Sequence, residues 1–246
     1  MPRMYRSPAA VCYPARMLAL LLLLACAADD ADTAAPDPVD TADTADTAPD
    51  TWAGPCPPDM VQVGAFCIGA YEATLEGALG FTDDGLIWPS STTTAVATSI
   101  AGVIPTVDLS WYQASGACSS AGRHLCTVTE WQAACGASSL PWGEEPAPET
   151  VCAIPAPDGT SEWDSLQPTG SLPDCRTPAG VFDQIGNAWE WADPETSGED
   201  GLPLAAKMGG AYYAGQGNAT CTVGPFLDHP PDFSGTIATR CCVDAR

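Results

Sequence analysis

Any chemistry in this chain has to come from its sulfur and its carboxylates. It holds 12 cysteines and 2 histidines, with 31 acidic residues against 8 basic ones. A thiolate is a nucleophile and a soft-metal ligand, but in an oxidising compartment two thiols form a disulfide first. Cys12 and Cys26 stand near the start; the others are Cys56, Cys67, Cys118, Cys126, Cys135, Cys152, Cys175, Cys221, Cys241 and Cys242. None forms a Cys-x-x-Cys pair, and only His124 and His229 could add nitrogen ligands, so the spacing offers no zinc site. In an exported chain an even set of this kind reads as disulfides. Cys56 and Cys67 flank Met60-Val61-Gln62-Val63 and Phe66, a strand hairpin closed by its own bridge. Cys152 and Cys175 flank a Pro- and Gly-rich stretch with little to bury, where a staple contributes most. Spacing alone leaves the other six unpaired. His124 has no Ser or Cys nucleophile with an oriented partner nearby, and reads as a packing residue rather than a general base.

The compartment is set by the first 26 residues. Arg3, Arg6 and Arg16 are followed by the apolar run Met17 to Ala25, far short of the roughly 20 residues that span a bilayer. It ends Leu23-Leu24-Ala25-Cys26, which matches a lipobox, so residues 1–26 are expected to be a lipoprotein signal peptide with Cys26 acylated. No Asp directly follows Cys26, which favours the outer membrane, on either its periplasmic or its surface face. Residues 27–54 are almost entirely Asp, Thr, Ala and Pro, with Asp-Thr-Ala at Asp32, Asp40, Asp43 and Asp46. Such a segment buries too little to offset its ordering entropy and is expected to be a disordered acidic tether. Downstream of Arg16 only 5 of the 8 basic residues remain against all 31 acidic ones, a balance of −26. That charge excludes nucleic acid and anionic headgroups as partners and favours cations.

From Pro55 the composition changes to aromatics, glycine, cysteine and short apolar runs, so 55–246 is expected to be one domain. Ser110 caps a helix whose stripe is Trp111, Ala114, Ala117, Cys118 and Ala121, stopped by Gly122. Thr127-x-x-Glu130 is a capping box that opens a second helix through Trp131, Ala134 and Cys135. Short strands and loops make up the rest, giving an α+β class with little regular structure.

In this order the segments resemble the formylglycine-generating (sulfatase-modifying factor) family. Val107-Asp108-Leu109-Ser110-Trp111 with Cys118 resembles the family's first helix. Gly122 to Trp131 resembles "GKRLPTEAEW", with His124 in place of an Arg, and Leu140-Pro141-Trp142-Gly143 resembles "YPWG". Gly180-Val181-Phe182-Asp183-Gln184-Ile185-Gly186-Asn187-Ala188-Trp189-Glu190-Trp191 resembles "GLYDMxGNVWEW" and is the most specific match. Met208-Gly209-Gly210-Ala211-Tyr212 resembles "RGGSY", and Thr239-Arg240-Cys241 the terminal "GFRC". The resemblance runs from about Cys56 to the C-terminus and implies a C-type-lectin-like fold.

The family's enzymes oxidise a substrate cysteine to formylglycine with O₂ and Cu(I) held by two thiolates. Soft, linear Cu(I) selects sulfur. Counted from Gly210, the two ligand positions fall on Ala214 and Ala219, and alanine cannot bind copper. The resemblance also implies a bridge from Cys221 to Cys135, and one from Cys118 to Cys241 or Cys242, with Cys126 taking the remaining one. A structural Ca²⁺ is implied at Asp183, the Gly186 and Ala188 carbonyls and Glu190, a donor set of the hard oxygens that cation prefers. The family's second calcium site is not expected, because the Asn it needs near Ala153 is absent. Asn218-Ala219-Thr220 spells a glycosylation sequon that we read as chance. The expectation is therefore a non-catalytic module that binds a protein or glycan at the cell envelope, with Tyr212, Tyr213 and Gln216 in Gly215-Gln216-Gly217 as the surface. The alternative is a formylglycine-generating oxidase with relocated ligands, such as Cys221 with Cys241 or Cys242.

Overall fold

Apolar runs this short, broken by Gly, Pro and Cys, can form only short elements. The computed structural model describes residues 52–77, 94–136, 151–156, 158–161, 163–198, 204–214, 216–221, 226–228 and 236–246. The expected signal peptide with Cys26, the expected tether up to Thr51, Leu140 to Gly143, Gly215 and His229 lie outside the described residues. The described residues fall within one unit, Thr47–Arg246. Its elements are β1 Met60–Val63, β2 Phe66–Gly69, β3 Ala73–Glu76, β4 Val96–Ser99, α1 Trp111–Ser120, β5 His124–Leu125, α2 Val128–Cys135, β6 Trp189–Ala192, β7 Ala205–Met208, β8 Phe226–Asp228, β9 Ile237–Thr239 and β10 Cys241–Asp244.

Both helices start where their capping residues put them. Ser110 Oγ accepts from the Gln113 N–H at 3.1 Å, and the Ser110 N–H donates back to Gln113 Oε1. Thr127 Oγ1 accepts from the Glu130 N–H, and the Thr127 N–H donates to Glu130 Oε2 at 2.9 Å. Such caps stabilise a helix by about 1 kcal/mol each, which matters for helices this short. Beyond α1 the chain leaves through Gly122 at φ 70°.

Among the described residues the strands form two four-stranded sheets, ordered β1-β2-β10-β5 and β8-β7-β6-β9, with β3 and β4 as a separate pair. β1 and β2 form an antiparallel hairpin with Val63 opposite Phe66, turned by Gly64 at φ 60°, and Cys56, just ahead of β1, is bridged to Cys67 in β2. β6 pairs antiparallel with β7 and parallel with β9. Trp111 Nε1 donates to the Ala192 carbonyl and Trp191 Nε1 to the Leu109 carbonyl, so two buried indoles tie the start of α1 to β6.

Strand β10 separates two apolar clusters, and its pleat sorts the adjacent cysteines between them. Successive side chains on a strand point to opposite faces. Cys241 therefore enters the cluster of α1, Leu109 and Trp191 and bridges Cys118, while Cys242 enters the cluster of Trp131 and Ile185 and bridges Cys126. Cys135–Cys221 and Cys152–Cys175 complete five disulfides among the described residues. The architecture is α+β with little regular structure, held by disulfides.

Candidate functional site

The segment from Asp183 to Trp191 is fixed from both sides by contacts that tolerate no side chain. Gly186, at φ 80°, lies where a Cβ would come within 2.3 Å of the Ala153 carbonyl oxygen. Gly209, at φ 83°, would place one 2.3 Å from the Gln184 carbonyl oxygen. The Gly186 N–H donates to the Gly209 carbonyl at 3.0 Å, which clips the segment to the loop after β7. Asp183 and Asn187 also sit at positive φ, 55° and 54°. Short polar residues accept that conformation better than most.

Glu190 leaves β6 for the interior and is fully buried, as is Arg240, the residue between β9 and β10. The Arg240 Nε donates to Glu190 at 3.0 Å and a terminal nitrogen donates at 2.6 Å. Its other donors reach the Gly69 carbonyl at 2.8 Å and the Phe182 carbonyl at 2.9 Å. Trp131 Nε1 donates to the second Glu190 oxygen at 2.6 Å. One guanidinium thus joins β2, the Phe182 turn and β6, and α2 is added through Trp131.

A second buried acid, Glu72, belongs to the same cluster. It accepts from Asn187 Nδ2 at 2.6 Å and from the Ala188 N–H at 3.0 Å. Asn187 Oδ1 accepts from the Gln167 N–H, and the Asn187 carbonyl accepts from the Tyr212 N–H at 3.0 Å. Asp183 accepts from the Gly170 N–H at 2.6 Å. Burial raises Glu72 well above the ordinary carboxylate range, and the charges of Asp183 and Glu190 add to it. Burial likewise raises Asp183 to about 6, against the Gly170 hydrogen bond and the charge of Arg240. Burial lowers the proton affinity of Arg240, but the charges of Glu190, Glu72 and Asp183 more than offset it and raise it above the ordinary guanidinium value.

This geometry corrects the calcium expectation. The positive charge facing Glu190 is supplied by Arg240, fifty residues further along the chain, and both Glu190 oxygens are already engaged by Arg240 and Trp131. Asp183 turns an oxygen to the Gly170 amide. Asp183, Gly186, Ala188 and Glu190 therefore make a loop clasp around an internal ion pair. Among the described residues no group of three or more His, Cys, Asp or Glu is placed to hold a metal ion.

The copper chemistry implied by the resemblance fails on its own residues. Ala214 and Ala219 are both buried, and Ala219 packs so that its Cα would lie 3.1 Å from a Cβ on Gly210. Methyl groups stand at both ligand positions. The relocated alternative needs thiols from Cys221 and Cys241 or Cys242, and these sulfurs are bridged to Cys135, Cys118 and Cys126. The same loop carries Tyr212 and Tyr213, whose rings meet edge to face with centroids 5.1 Å apart, and Tyr213 is half exposed. Ser161 Oγ lies 3.0 Å from the Tyr212 carbonyl. Gln216 opens a short 3-10 turn, Gln216–Asn218, that leads to Ala219.

Sequence reasoning missed Glu72 and gave Arg240 no role. Each carried a signal in that it is a formal charge set among apolar neighbours, Ala70-Tyr71-Glu72-Ala73 and Ile237-Ala238-Thr239-Arg240-Cys241. An exposed pair also went unread: His124 Nε2 lies 3.0 Å from Glu130, whose hydrogen bond raises the imidazole's affinity for a proton.

Residues 38–234 match the model of the sulfatase-modifying factor enzyme 1-like domain, the FGE-sulfatase family. Over 154 residues the chain is 29% identical to "Inactive C-alpha-formylglycine-generating enzyme 2" of Mus musculus, covering 58% of this chain and 50% of that protein. The chain thus spans about half the length of the curated relative it matches. Among solved structures it resembles CarF at 17% identity and a TM-score of 0.49, covering 74% of this chain and 87% of that one. Treponema denticola variable protein 1 resembles it at 13% identity and a TM-score of 0.45, covering 75% and 98% of the two chains. With the family model matched over most of its length, the chain belongs to the FGE-sulfatase (sulfatase-modifying factor enzyme 1-like) family.

Proposed function

We propose that this chain is a non-catalytic family member that binds a protein or glycan ligand at the cell envelope through the loop from Gly210 to Cys221. One observation carries the reading. That loop has buried alanines where the oxidase needs thiolates, seals its only cysteine in a bridge to Cys135, and turns Tyr213 to solvent. The relative named inactive supports loss of the oxidation, although this chain spans only half of it.

In this reading the frame is C-type-lectin-like, a rigid disulfide-held base that displays variable loops. Cys26 is the lipid anchor, residues 27–54 are the spacer, and the outer membrane is the site of display. Two-chain acylation would hold it there stably. Tyr212→Ala with Tyr213→Ala, screened against a glycan array and envelope proteins, tests the surface. Binding that survives both substitutions unchanged would remove this loop as the recognition site.

A further inference from the structure

The tyrosine corner and the distribution of charge narrow the ligand class, on the premise that this loop is the binding surface. Aromatic faces accept three common partners: sugar C–H faces, prolyl rings and cations. The charge decides among them. Of the basic residues beyond Arg16, Arg240 is buried against Glu190 and Arg123 is held by Asp59 through contacts of 2.7 and 2.8 Å. Arg246 lies over the Trp52 ring, 4.0 Å from its centroid. Arg176 and Lys207 complete the five cations, set against 31 acidic residues. The field around the domain is therefore strongly negative and concentrates positive ligands. At Tyr212 and Tyr213 the rings stand perpendicular, and Tyr213 is the half-exposed member of the pair, the aromatic surface a ligand could reach. The chain already uses this contact internally, between Arg246 and Trp52.

We propose that the Tyr212–Tyr213 corner receives a guanidinium or ammonium group presented by a basic segment of a partner protein. Cation–π attraction at the ring gives the position, and the diffuse acidic field gives the encounter rate. No bond is made or broken.

The test titrates the full exported chain with a Gly-spaced arginine peptide, a neutral proline-rich peptide and a mixed oligosaccharide pool. Measurements at about 0.5 M NaCl, where the Debye length is roughly 4 Å, suppress the diffuse field and leave the local contact. Tyr213→Leu keeps the apolar bulk and removes the π face, while Tyr213→Phe keeps both. The expected result is about three-fold weaker arginine-peptide binding for Tyr213→Leu and unchanged binding for Tyr213→Phe. Equal arginine-peptide binding by wild type and Tyr213→Leu would overturn the cation site. If the neutral peptide or the glycans then lose affinity on Tyr213→Leu, the binding surface stands and only the ligand class falls. If no probe responds to Tyr213→Leu, the surface falls as well.

Discussion

Cys118–Cys241 and Cys126–Cys242 should protect stability jointly, because each shortens the loop that the other closes. Taken alone they close loops of sequence separation 123 and 116. In the chain-entropy account a loop that long stabilises the fold by about 4.9 kcal/mol. With one bridge in place, however, the other closes only the ring from Cys118 to Cys126 and back through Cys241 and Cys242, about 10 residues, worth about 2.7 kcal/mol. With both removed, Cys135–Cys221 still holds the chain, so the lost loop runs from Cys118 to Cys135 and from Cys221 to Cys241, about 38 residues. Restoring the first bridge across it is worth about 3.9 kcal/mol. Cys118→Ala/Cys241→Ala and Cys126→Ala/Cys242→Ala should therefore each cost about 2.7 kcal/mol, and the quadruple variant about 6.6 kcal/mol. The excess over the sum of the two, about 1.2 kcal/mol, is the signature of nested loops. Equilibrium urea unfolding at fixed pH, extrapolated to water, reads all four states, and cavity costs at the buried sulfurs cancel in the cycle. Single-pair losses near 4.9 kcal/mol that simply add would refute the nesting, because they would mean that the bridges close independent loops.

Three further predictions concern the buried cluster and its loop. Asp183 titrates near 6 when folded and near 3.8 when unfolded, so between these values the native chain holds a proton the unfolded chain has lost. Stability should therefore fall as pH rises from about 4 to above 6, by at most about 3 kcal/mol from this group, with Glu72 acting in the same direction. Asp183→Asn keeps an acceptor for Gly170 and should flatten that slope while stabilising the protein at pH 7.5, as thermal melts across pH would read. Below about pH 4 Asp183 is protonated in both states and adds no slope, and the direction reverses through Asp59 and Glu130. Burial opposes ionisation of Asp59 and Glu130, but Arg123 and His124 respectively outweigh it and hold both carboxyls low. Arg240→Met should cost about 3–5 kcal/mol at neutral pH and less in mild acid, where Asp183 and Glu72 take up protons; an equal cost at pH 7.5 and 5 would contradict the charge account. Gly186→Ala should cost several times more than Gly180→Ala in urea unfolding. Both glycines have positive φ, but only at Gly186 would the new Cβ meet a backbone oxygen, whereas at Gly180 it meets nothing within 4 Å.

What could be read from the sequence was local, and what could not was a matter of partners far along the chain. Ser110 and Thr127 announce their helices because a cap and the amides it satisfies lie within three residues of each other. The β1–β2 hairpin is legible from its spacing and its bridging cysteines for the same reason. The choice between Cys241 and Cys242 needed the strand's pleat and its register against β5, in which Cys241 faces Leu125 and Cys242 faces His124. The calcium reading failed on the same ground. Asp183 and Glu190 have the right atoms for the ion, but a guanidinium closes on Glu190, and acts on Asp183 through its charge, only when β9 and β10 are in place. Glu72 escaped notice because its partners, Asn187 and Ala188, lie more than a hundred residues away.

The central claim, that this scaffold no longer carries out the family's oxidation, is tested most directly by incubating the full chain with Cu(I), O₂ and a Cys-x-Pro-x-Arg peptide and trapping any aldehyde with a hydrazide. Methyl groups at positions 214 and 219 and a bridged Cys221 predict no aldehyde above the protein-free control. Copper-dependent aldehyde that disappears on Cys221→Ala would contradict the account.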